Sequence, residues 1–366
     1  MRRPVGGGNC GRARMIRTPM PQNTVQASSS QHGLRALWRQ RGAGAWLLWP
    51  LSLVYGVLQA WNARRMRSRQ QSTGVPVIVV GNVIAGGAGK TPVTQAVVAH
   101  LKARGWQPAI ISRGYGRRIE SGQDCREALP DSPASEVGDE PALLARSTGV
   151  PVFVASRRLQ AAQALRQRYP QVDVIVSDDG LQHLALARDV ELCVFNDEGV
   201  GNGFLLPAGP LREPWPRPVT ATLHAGQPPR PLGTSPAFAL QRNLAETAYN
   251  GHGQSIPLRS LAAQSPEAVA AVARPESFFA MLAAQGITAA ATQALPDHYD
   301  FESFSRKLEN DKPLICTEKD AVKLWRSHPE AWAVPLELQL PQAFWELLDA
   351  QLAKANANIR RGGKPG

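Results

Sequence analysis

The sequence predicts an α/β fold with a largely parallel sheet, and three observations support this prediction. Short apolar runs alternate with helix-like segments between residues 75 and 215, as expected for strands buried on both faces of a parallel sheet. A glycine-rich segment separates the first of these runs from a helix. A second alternation follows a proline-dense stretch at 207–234, which predicts a second, smaller α/β unit.

The individual elements follow from the apolar runs and their flanking turn residues. The predicted strands of the first unit lie at 75–80, 109–111, 150–155, 172–176 and 192–195, and its helices at 91–104, 141–146 and 157–168. The predicted strands of the second unit lie at 237–240, 269–272, 314–316 and 336–340, and its helices at 275–285 and 301–308. A helix over 341–352 closes the chain.

Residues 81–91 read Gly-Asn-Val-Ile-Ala-Gly-Gly-Ala-Gly-Lys-Thr, between the first strand and the first helix. Such a loop directs backbone N–H groups and the positive end of the helix dipole at one point, where phosphate binds. Lys90 can reach the β- and γ-phosphates, and the Thr91 hydroxyl can hold Mg²⁺. The segment therefore predicts a P-loop nucleoside-triphosphate site. The alternative is a glycine-rich turn that precedes Lys-Thr by chance.

The predicted phosphate-binding residues are those of the loop together with one arginine. The usual motif has glycine six residues before the lysine, where this chain has Ile84, but a backbone N–H suffices at that position. Arg113 follows the second strand in a glycine-containing loop and can clamp phosphate, or else lie in a solvated turn. The set is Ile84, Ala85, Gly86, Gly87, Ala88, Gly89, Lys90, Thr91 and Arg113.

Two acidic pairs predict metal binding and proton transfer. Asp178 and Asp179 end an apolar strand, where a carboxylate can hold the Mg²⁺ shared with nucleotide phosphates; an Asp-Asp-Gly turn is the alternative. Asp139 and Glu140 open a helix. They are either a general base beside a metal ligand, or a helix cap with a charge that complements the dipole.

The second unit contains two polar motifs. His298 lies between acids in Pro296-Asp297-His298-Tyr299-Asp300 and could carry a proton, although a single histidine is more often structural or solvated. Thr317-Glu318-Lys319-Asp320 follows a strand and opens a helix, and it equally describes a capping turn.

The N-terminal segment carries the whole excess of positive charge. Residues 1–70 contain twelve of the 41 basic residues and no acid, so the remainder is neutral, with 29 of each sign. As a helix, the uncharged, tryptophan-rich run at 42–63 would span about 33 Å. Because arginines flank it on both sides, we predict a helix that lies in the membrane interface rather than one that crosses. A core helix docked on the body is the alternative. The four cysteines are widely spaced and form no CxxC pair, which argues against a disulfide scaffold or a zinc site.

Taken together, these motifs resemble the tetraacyldisaccharide 4′-kinase family of lipid A biosynthesis over residues 34–350. The residues that carry the resemblance are 81–92, Ser112-Arg113-Gly114-Tyr115-Gly116, Gly138-Asp139-Glu140-Pro141, 178–183, Leu211-Arg212-Glu213-Pro214, Pro296-Asp297-His298 and 317–323. The resemblance implies an ATP- and Mg²⁺-dependent kinase at the cytoplasmic face of the inner membrane. It would phosphorylate the 4′-hydroxyl of an acylated glucosamine disaccharide 1-phosphate and so form lipid IVA.

The resemblance also implies roles for single residues. Asp139 would take the proton of the sugar hydroxyl, His298 would support it from the other domain, and Lys90 would hold ATP phosphates. At four arginines the resemblance is weaker, and it implies that they contact phosphate: Arg113, Arg157, Arg158 and Arg212. The implied magnesium ligands are Thr91, Glu140, Asp178 and Asp179.

Composition and the resemblance divide the chain into six predicted segments. They are a disordered basic extension (1–33), a membrane-associated helix (34–70), a P-loop kinase core (71–215), a proline-rich hinge (216–235), a smaller α/β domain (236–340) and a C-terminal helix with its tail (341–366). The predicted partners are the lipid substrate and the inner membrane surface, with no nucleic acid and no obligate protein partner.

Two rival functions remain open from the sequence. A membrane-associated P-loop ATPase could act on a protein partner, although many such proteins place lysine where this chain has Ala85. A nucleic-acid-binding ATPase could use the N-terminal arginines, but these are interleaved with tryptophan and leucine, and the body is neutral.

Overall fold

The computed structural model describes residues 37–119, 124–307 and 312–362. The predicted basic extension at 1–33 lies outside the described residues.

The helices are α1 (Ala43–Arg67), α2 (Lys90–Ala103), α3 (Ala134–Val137), α4 (Asp139–Thr148), α5 (Arg158–Arg168), α6 (Pro275–Ala284), α7 (Glu318–Leu324) and α8 (Gln342–Arg360), with a 3-10 helix at Leu258–Gln264. The strands of the first half are β1 (Val77–Gly81), β2 (Pro108–Ser112), β3 (Arg126–Ala128), β4 (Val152–Val154), β5 (Val174–Asp178), β6 (Val190–Phe195), β7 (Ala221–His224) and β8 (Ala237–Ala239). Those of the second half are β9 (Gln241–Leu244), β10 (Thr247–Tyr249), β11 (Ser255–Pro257), β12 (Glu267–Ala270), β13 (Ala291–Ala294), β14 (Leu314–Thr317), β15 (Trp332–Val334) and β16 (Leu336–Gln339).

The strands β1 to β8 form one sheet in the order β3-β4-β2-β5-β1-β6-β7-β8. All neighbouring strands are parallel except β3 and β4 at one edge. Every residue of β1, β2 and β5 is buried, because helices cover both faces of such a sheet. The predicted α/β fold with a parallel sheet is therefore confirmed.

The register places two of the predicted site segments side by side. Val80 pairs with Asp178 in the β1–β5 ladder, so β1 and β5 end at the same edge of the sheet. The glycine-rich loop follows β1, and Asp179 follows β5. Since ligands of open parallel sheets bind outside the carboxyl ends of the strands, this edge is the expected position of the site.

A second, smaller sheet has the order β11-β10-β15-β14-β12-β13. Its central strands β12, β14 and β15 are parallel, and helix α6 packs against β12 through Phe278 and Leu282. The antiparallel pair β9–β16 forms a separate two-stranded sheet. The predicted smaller α/β unit is thus present, with an antiparallel edge that the sequence did not indicate.

The large sheet extends past the predicted hinge. Strand β7 lies within 216–235, and β8 lies within the segment assigned to the smaller domain, yet both belong to the large sheet. The prolines of this stretch flank β7 rather than interrupt it, as the missing N–H of proline requires. Helix α8 also packs on the core of the large sheet through Phe344, Leu348 and Leu352. The proposed domain boundaries remain predictions.

The helix predicted over 301–308 is wrong over its described part. Residues 302 and 303 form a turn and the rest of 301–307 is irregular, and Leu308 lies outside the described residues. Phe301 has a φ of +64°, a left-handed conformation that cannot begin an α-helix. The Asp300 carboxylate accepts the Glu302 N–H at 3.1 Å, a local side-chain bond that competes with helix formation.

Helix α1 has one face on the protein and leaves its other side exposed. Ala45 and Leu48 pack with Phe204 and Ala208, and Ser52 is buried further along the same stripe. Among the described helices, α1 is long and apolar enough to cross a membrane. Its exposed apolar side chains are Trp46, Leu47, Trp49, Leu51, Leu53, Val54, Val57, Leu58 and Trp61.

The packing of α8 predicts that the C-terminal helix is part of the large core. Phe344 is fully buried and contacts the ring of Phe238 edge-on, so Phe344→Ala should lower the free energy of unfolding by about 3–5 kcal/mol. Denaturant titration measures this loss. The control Leu232→Ala removes an exposed side chain and should change stability by less than about 0.5 kcal/mol. Equal effects of the two changes would contradict this packing.

Candidate active site

The glycine-rich loop curls from the end of β1 to the first turn of α2. Gly89 precedes Lys90 with a φ of +78°, which favours glycine. A Cβ at Gly89 would also lie 2.8 Å from Nη2 of Arg242. Lys90 and Thr91 begin α2 and are each 9% exposed. The lysine is therefore held at the mouth of the loop rather than free in solvent.

The first part of the loop is tied to residues 210–212. Ile84 and Leu211 form an antiparallel bridge, in which the Ala85 N–H donates to Pro210 O at 2.8 Å and the Arg212 N–H donates to Val83 O at 2.7 Å. Ile84 is buried. The Ala85 N–H, predicted to bind phosphate, is engaged within the protein in this conformation. The sequence did not indicate this pairing, because its partner lies far away along the chain.

The two aspartates at the end of β5 have different environments. The hydroxyl of Thr94 donates to Asp178 Oδ1 at 2.9 Å, and burial, with the charges of Glu140 and Asp179, raises the pKa of Asp178 to about 7. Asp179 Oδ1 lies 3.5 Å from both Lys90 Nζ and Arg212 Nη1. Although burial raises the pKa of Asp179, these two positive charges outweigh it and lower the pKa.

The arginines predicted as phosphate ligands are not equivalent. Arg158 is 2% exposed, and its Nη2 donates to the carbonyls of Asp178 and Asp179 at 3.0 and 3.2 Å. Burial lowers its pKa to about 10, so it remains charged and holds the loop after β5. Arg113 and Arg157 are exposed, and neither lines the cavity described below. Among the four, only Arg212 lines that cavity.

The predicted magnesium ligands supply hard oxygen donors, as Mg²⁺ prefers. Asp178 Oδ2 is buried without a hydrogen-bond partner among the described residues, and Asp178 shares its surroundings with the Glu140 and Asp179 charges. In the described part of the chain, no group of three or more His, Cys, Asp or Glu side chains is placed to hold a metal alone. The residues therefore fit an ion that takes its remaining ligands from phosphates and water.

Two residues of the smaller unit contact the carboxylate of Asp139. His298 Nδ1 lies 2.8 Å from Asp139 Oδ2, and Lys323 Nζ lies 2.7 Å from the same oxygen. Burial raises the pKa of Asp139, but the hydrogen bonds and charges of His298 and Lys323 outweigh it, so the pKa is lowered. The carboxylate is thus ionised, oriented and half-buried, as a general base requires.

Local backbone geometry places this cluster. Gly138, just before Asp139, has a φ of +96° and approaches Gly114 so closely that a Cβ would lie 2.9 Å from its Cα. His298 has a φ of +65°, an uncommon conformation for a residue with a side chain. Its backbone is held by Lys323, whose Nζ donates to the His298 carbonyl at 3.1 Å.

The Thr317-Glu318-Lys319-Asp320 motif is a capping turn that also positions the lysines. The hydroxyl of Thr317 accepts the Asp320 N–H at 3.2 Å and donates to its carboxylate at 2.6 Å. Burial raises the pKa of Asp320 to about 6. Lys319, on the same helix, lies 3.4 Å from both His298 Nε2 and Asp297 Oδ1. The capping turn is therefore present, and the helix that it opens brings Lys319 to His298 and Asp297.

One cavity of about 890 Å³ joins the two clusters. Its lining includes loop residues 85–91, the acid Asp179 and, on the other side, Asp139, Glu140 and His298. The volume is that of a small-molecule site. Asp178, Ile84 and Arg113 were predicted to bind ligands but do not line it. The structure thus brings Lys90, Thr91, Asp139, Glu140, Asp179 and His298 to one space.

Several residues that hold the phosphate loop or Asp139 in place were not predicted. Lys323 lies within the 317–323 motif, four positions after Lys319 and so on the same helix face, which is a signal that sequence reasoning could have used. Arg242 Nη2 donates to Ala88 O at 3.4 Å, and Asn196 Nδ2 donates to Gly87 O at 3.2 Å. No local pattern marks these two residues, since only the fold brings them to the loop.

Known proteins resemble this chain over most of its length. A family model described as tetraacyldisaccharide-1-P 4′-kinase (LpxK) matches residues 44–353. A relative named tetraacyldisaccharide 4′-kinase, from Delftia acidovorans (strain DSM 14801 / SPH-1), is 64% identical over 87% of this chain and 94% of its own length. A relative of the same name from Acidovorax sp. (strain JS42) is 60% identical over 89% of this chain and 96% of its own.

A solved structure extends the likeness to the fold. It is described as the "apo" form of LpxK from Aquifex aeolicus in complex with ATP, and it matches with a TM-score of 0.72 and 25% sequence identity, over 84% of this chain and 99% of that chain. The P-loop kinase fold and the resemblance predicted from the motifs are both confirmed. The chain belongs to the tetraacyldisaccharide-1-P 4′-kinase family.

Proposed function

We propose that this chain transfers the γ-phosphoryl group of ATP to the 4′-hydroxyl of an acylated glucosamine disaccharide 1-phosphate, as the names of its relatives indicate. The chain is a kinase of lipid A biosynthesis by its family. The observation that carries the proposal is the single cavity lined by both the phosphate loop and the Asp139–His298 pair. A donor phosphate at the loop and an acceptor hydroxyl at Asp139 would share one space from which a closing site excludes water.

The protein's own contribution to the reaction is positioning and charge. The loop amides, with Lys90, would hold the triphosphate, and Arg212 would add positive charge beside Asp179. Phosphoryl transfer depends mainly on such positioning and on neutralising charge. Asp139 would accept the proton of the attacking hydroxyl. With Asp139 ionised, His298 Nδ1 donates to Oδ2 and leaves Oδ1 to face the hydroxyl.

Mg²⁺, when bound with ATP, would neutralise charge on the β- and γ-phosphates. Its protein ligands would come from Thr91, Glu140, Asp178 and Asp179. The unpartnered Asp178 Oδ2 supports this assignment, because a buried carboxylate oxygen is costly unless it is paired.

Helix α1 would seat the enzyme at the cytoplasmic face of the inner membrane, where its lipid substrate resides. The helix presents apolar side chains and tryptophans outward, and four arginines follow between 64 and 69. This combination suits an anionic membrane interface.

An ATPase that acts on a protein partner is the alternative function. It predicts that ATP turnover rises with a protein and not with lipid. Because Asp139 and His298 can activate water as well as a sugar hydroxyl, the transfer of label to the lipid distinguishes the two functions.

Asp139→Asn should lower the rate at which γ-labelled ATP transfers its label to the acylated disaccharide in mixed micelles by about 10²- to 10⁴-fold. The amide keeps the shape of the side chain but cannot accept the proton. MgATP binding, measured by calorimetry, should persist, because the phosphate loop is intact. The control Asp131→Asn alters an exposed carboxylate and should leave turnover unchanged. Wild-type turnover in Asp139→Asn would remove this residue as the base.

Lys323→Met should move the acidic limb of the kcat/KM profile to higher pH. Lys323 lowers the pKa of Asp139, so without it a larger share of Asp139 is protonated at a given acidic pH. The base acts only when ionised, and activity is therefore lost earlier as the pH falls. Lys354→Met, on the exposed side of α8, serves as the matched control. A limb that stays in place, or moves to lower pH, would refute the role of Lys323.

The double variant Leu47→Glu, Val57→Glu should weaken sedimentation with anionic vesicles by about a hundredfold, since both side chains would have to be buried in lipid. These residues are 81% and 70% exposed, so the fold should be preserved. Leu232→Glu, an exposed site elsewhere, should bind vesicles normally. Undiminished sedimentation of the double variant would count against α1 as the membrane contact.

A further inference from the structure

Helix α1 is hydrogen-bonded to the chain segment that pairs with the phosphate loop. Ser52 Oγ donates to Leu205 O at 2.8 Å and accepts the Ala208 N–H at 3.0 Å. One turn further, Tyr55 Oη donates to the carbonyl of Arg212 at 2.8 Å. Burial raises the pKa of the Tyr55 hydroxyl, so it remains a donor at neutral pH. The protein-facing stripe of α1 therefore reaches Arg212.

Arg212 connects three parts of the molecule. Its N–H donates to Val83 O in the phosphate loop at 2.7 Å, and its carbonyl accepts from Tyr55 of α1. Its Nη1 lies 3.5 Å from Asp179 Oδ1, the atom that Lys90 also approaches at 3.5 Å. Because both peptide groups of Arg212 are fixed, the direction in which its side chain leaves the backbone is fixed as well.

We propose that Tyr55 is a positioning residue for the ATP site, and that it acts through Arg212. Its hydroxyl fixes the Arg212 peptide so that the guanidinium is aimed at Asp179 and at the triphosphate space beside Lys90. The inference rests on the proposed function, in which ATP phosphates occupy the loop. Side chains that hold charge for phosphoryl transfer must be fixed within a fraction of an ångström, and the Tyr55–Arg212 bond supplies part of that fixation.

The test is Tyr55→Phe, which removes the hydroxyl and keeps the ring. We expect its Kd for MgATP, measured by calorimetry in detergent micelles, to rise about fivefold, as for the loss of one hydrogen bond. The KM for the lipid and the sedimentation with anionic vesicles should not change, because the hydroxyl faces the protein. Tyr169→Phe removes a hydroxyl that contacts Glu127, away from the cavity, and should leave the Kd unchanged.

A double-mutant cycle separates positioning from general loosening of the fold. If Tyr55 acts through the guanidinium, Tyr55→Phe should lower kcat/KM for ATP in the wild-type background and have no further effect in Arg212→Ala. Equal effects in both backgrounds would overturn the proposal, as would an unchanged Kd for MgATP or a parallel loss of vesicle binding. If the wild-type protein transfers no phosphoryl group, the proposed function fails; transfer with an unchanged Kd in Tyr55→Phe refutes only the positioning role.

Discussion

The candidate site depends on the contacts that the smaller unit makes with the carboxylate of Asp139. His298 and Lys323 reach one oxygen of this carboxylate at 2.8 and 2.7 Å, while Asp139 itself begins a helix of the large unit. His298 and Lys323 lower the pKa of Asp139 only while the two units are in contact. If Asp139 is the base, as we propose, its activity depends on the relative position of the two units, which is a common way for kinases to restrict wasteful hydrolysis.

The phosphate side of the cavity is organised by balanced charge. Asp178 and Asp179 would repel one another and an incoming triphosphate, but Lys90, Arg158 and Arg212 lie close enough to offset them. Arg158 offsets this negative charge from within the core, where it donates to the carbonyls of Asp178 and Asp179. Arg212 offsets it from the segment that is hydrogen-bonded to α1. Charge balance at one edge of the sheet thus connects the core, the phosphate loop and the apolar helix α1.

Local sequence patterns predicted the elements that are determined by residues near one another in the chain. The uninterrupted apolar run before Gly81 and the glycines before Lys90 specified a buried strand, a loop and a helix, and the structure has all three. Contacts between distant segments were not predictable: the pairing of Ile84 with Leu211 depends on the fold that brings them together. The helix expected after Asp300 failed because a side-chain bond and a left-handed Phe301 outweigh helical periodicity.

The proposed function requires that a phosphoryl group pass, within one cavity, from ATP at the loop around Lys90 to a lipid hydroxyl beside Asp139. The most direct measurement follows the label of γ-labelled ATP into the acylated disaccharide 1-phosphate, with wild type and Lys90→Ala compared. Wild type should give a labelled lipid that carries a second phosphate at its 4′-position, and Lys90→Ala should lose this product. Release of label as free phosphate, with the lipid unlabelled, would contradict the proposed function.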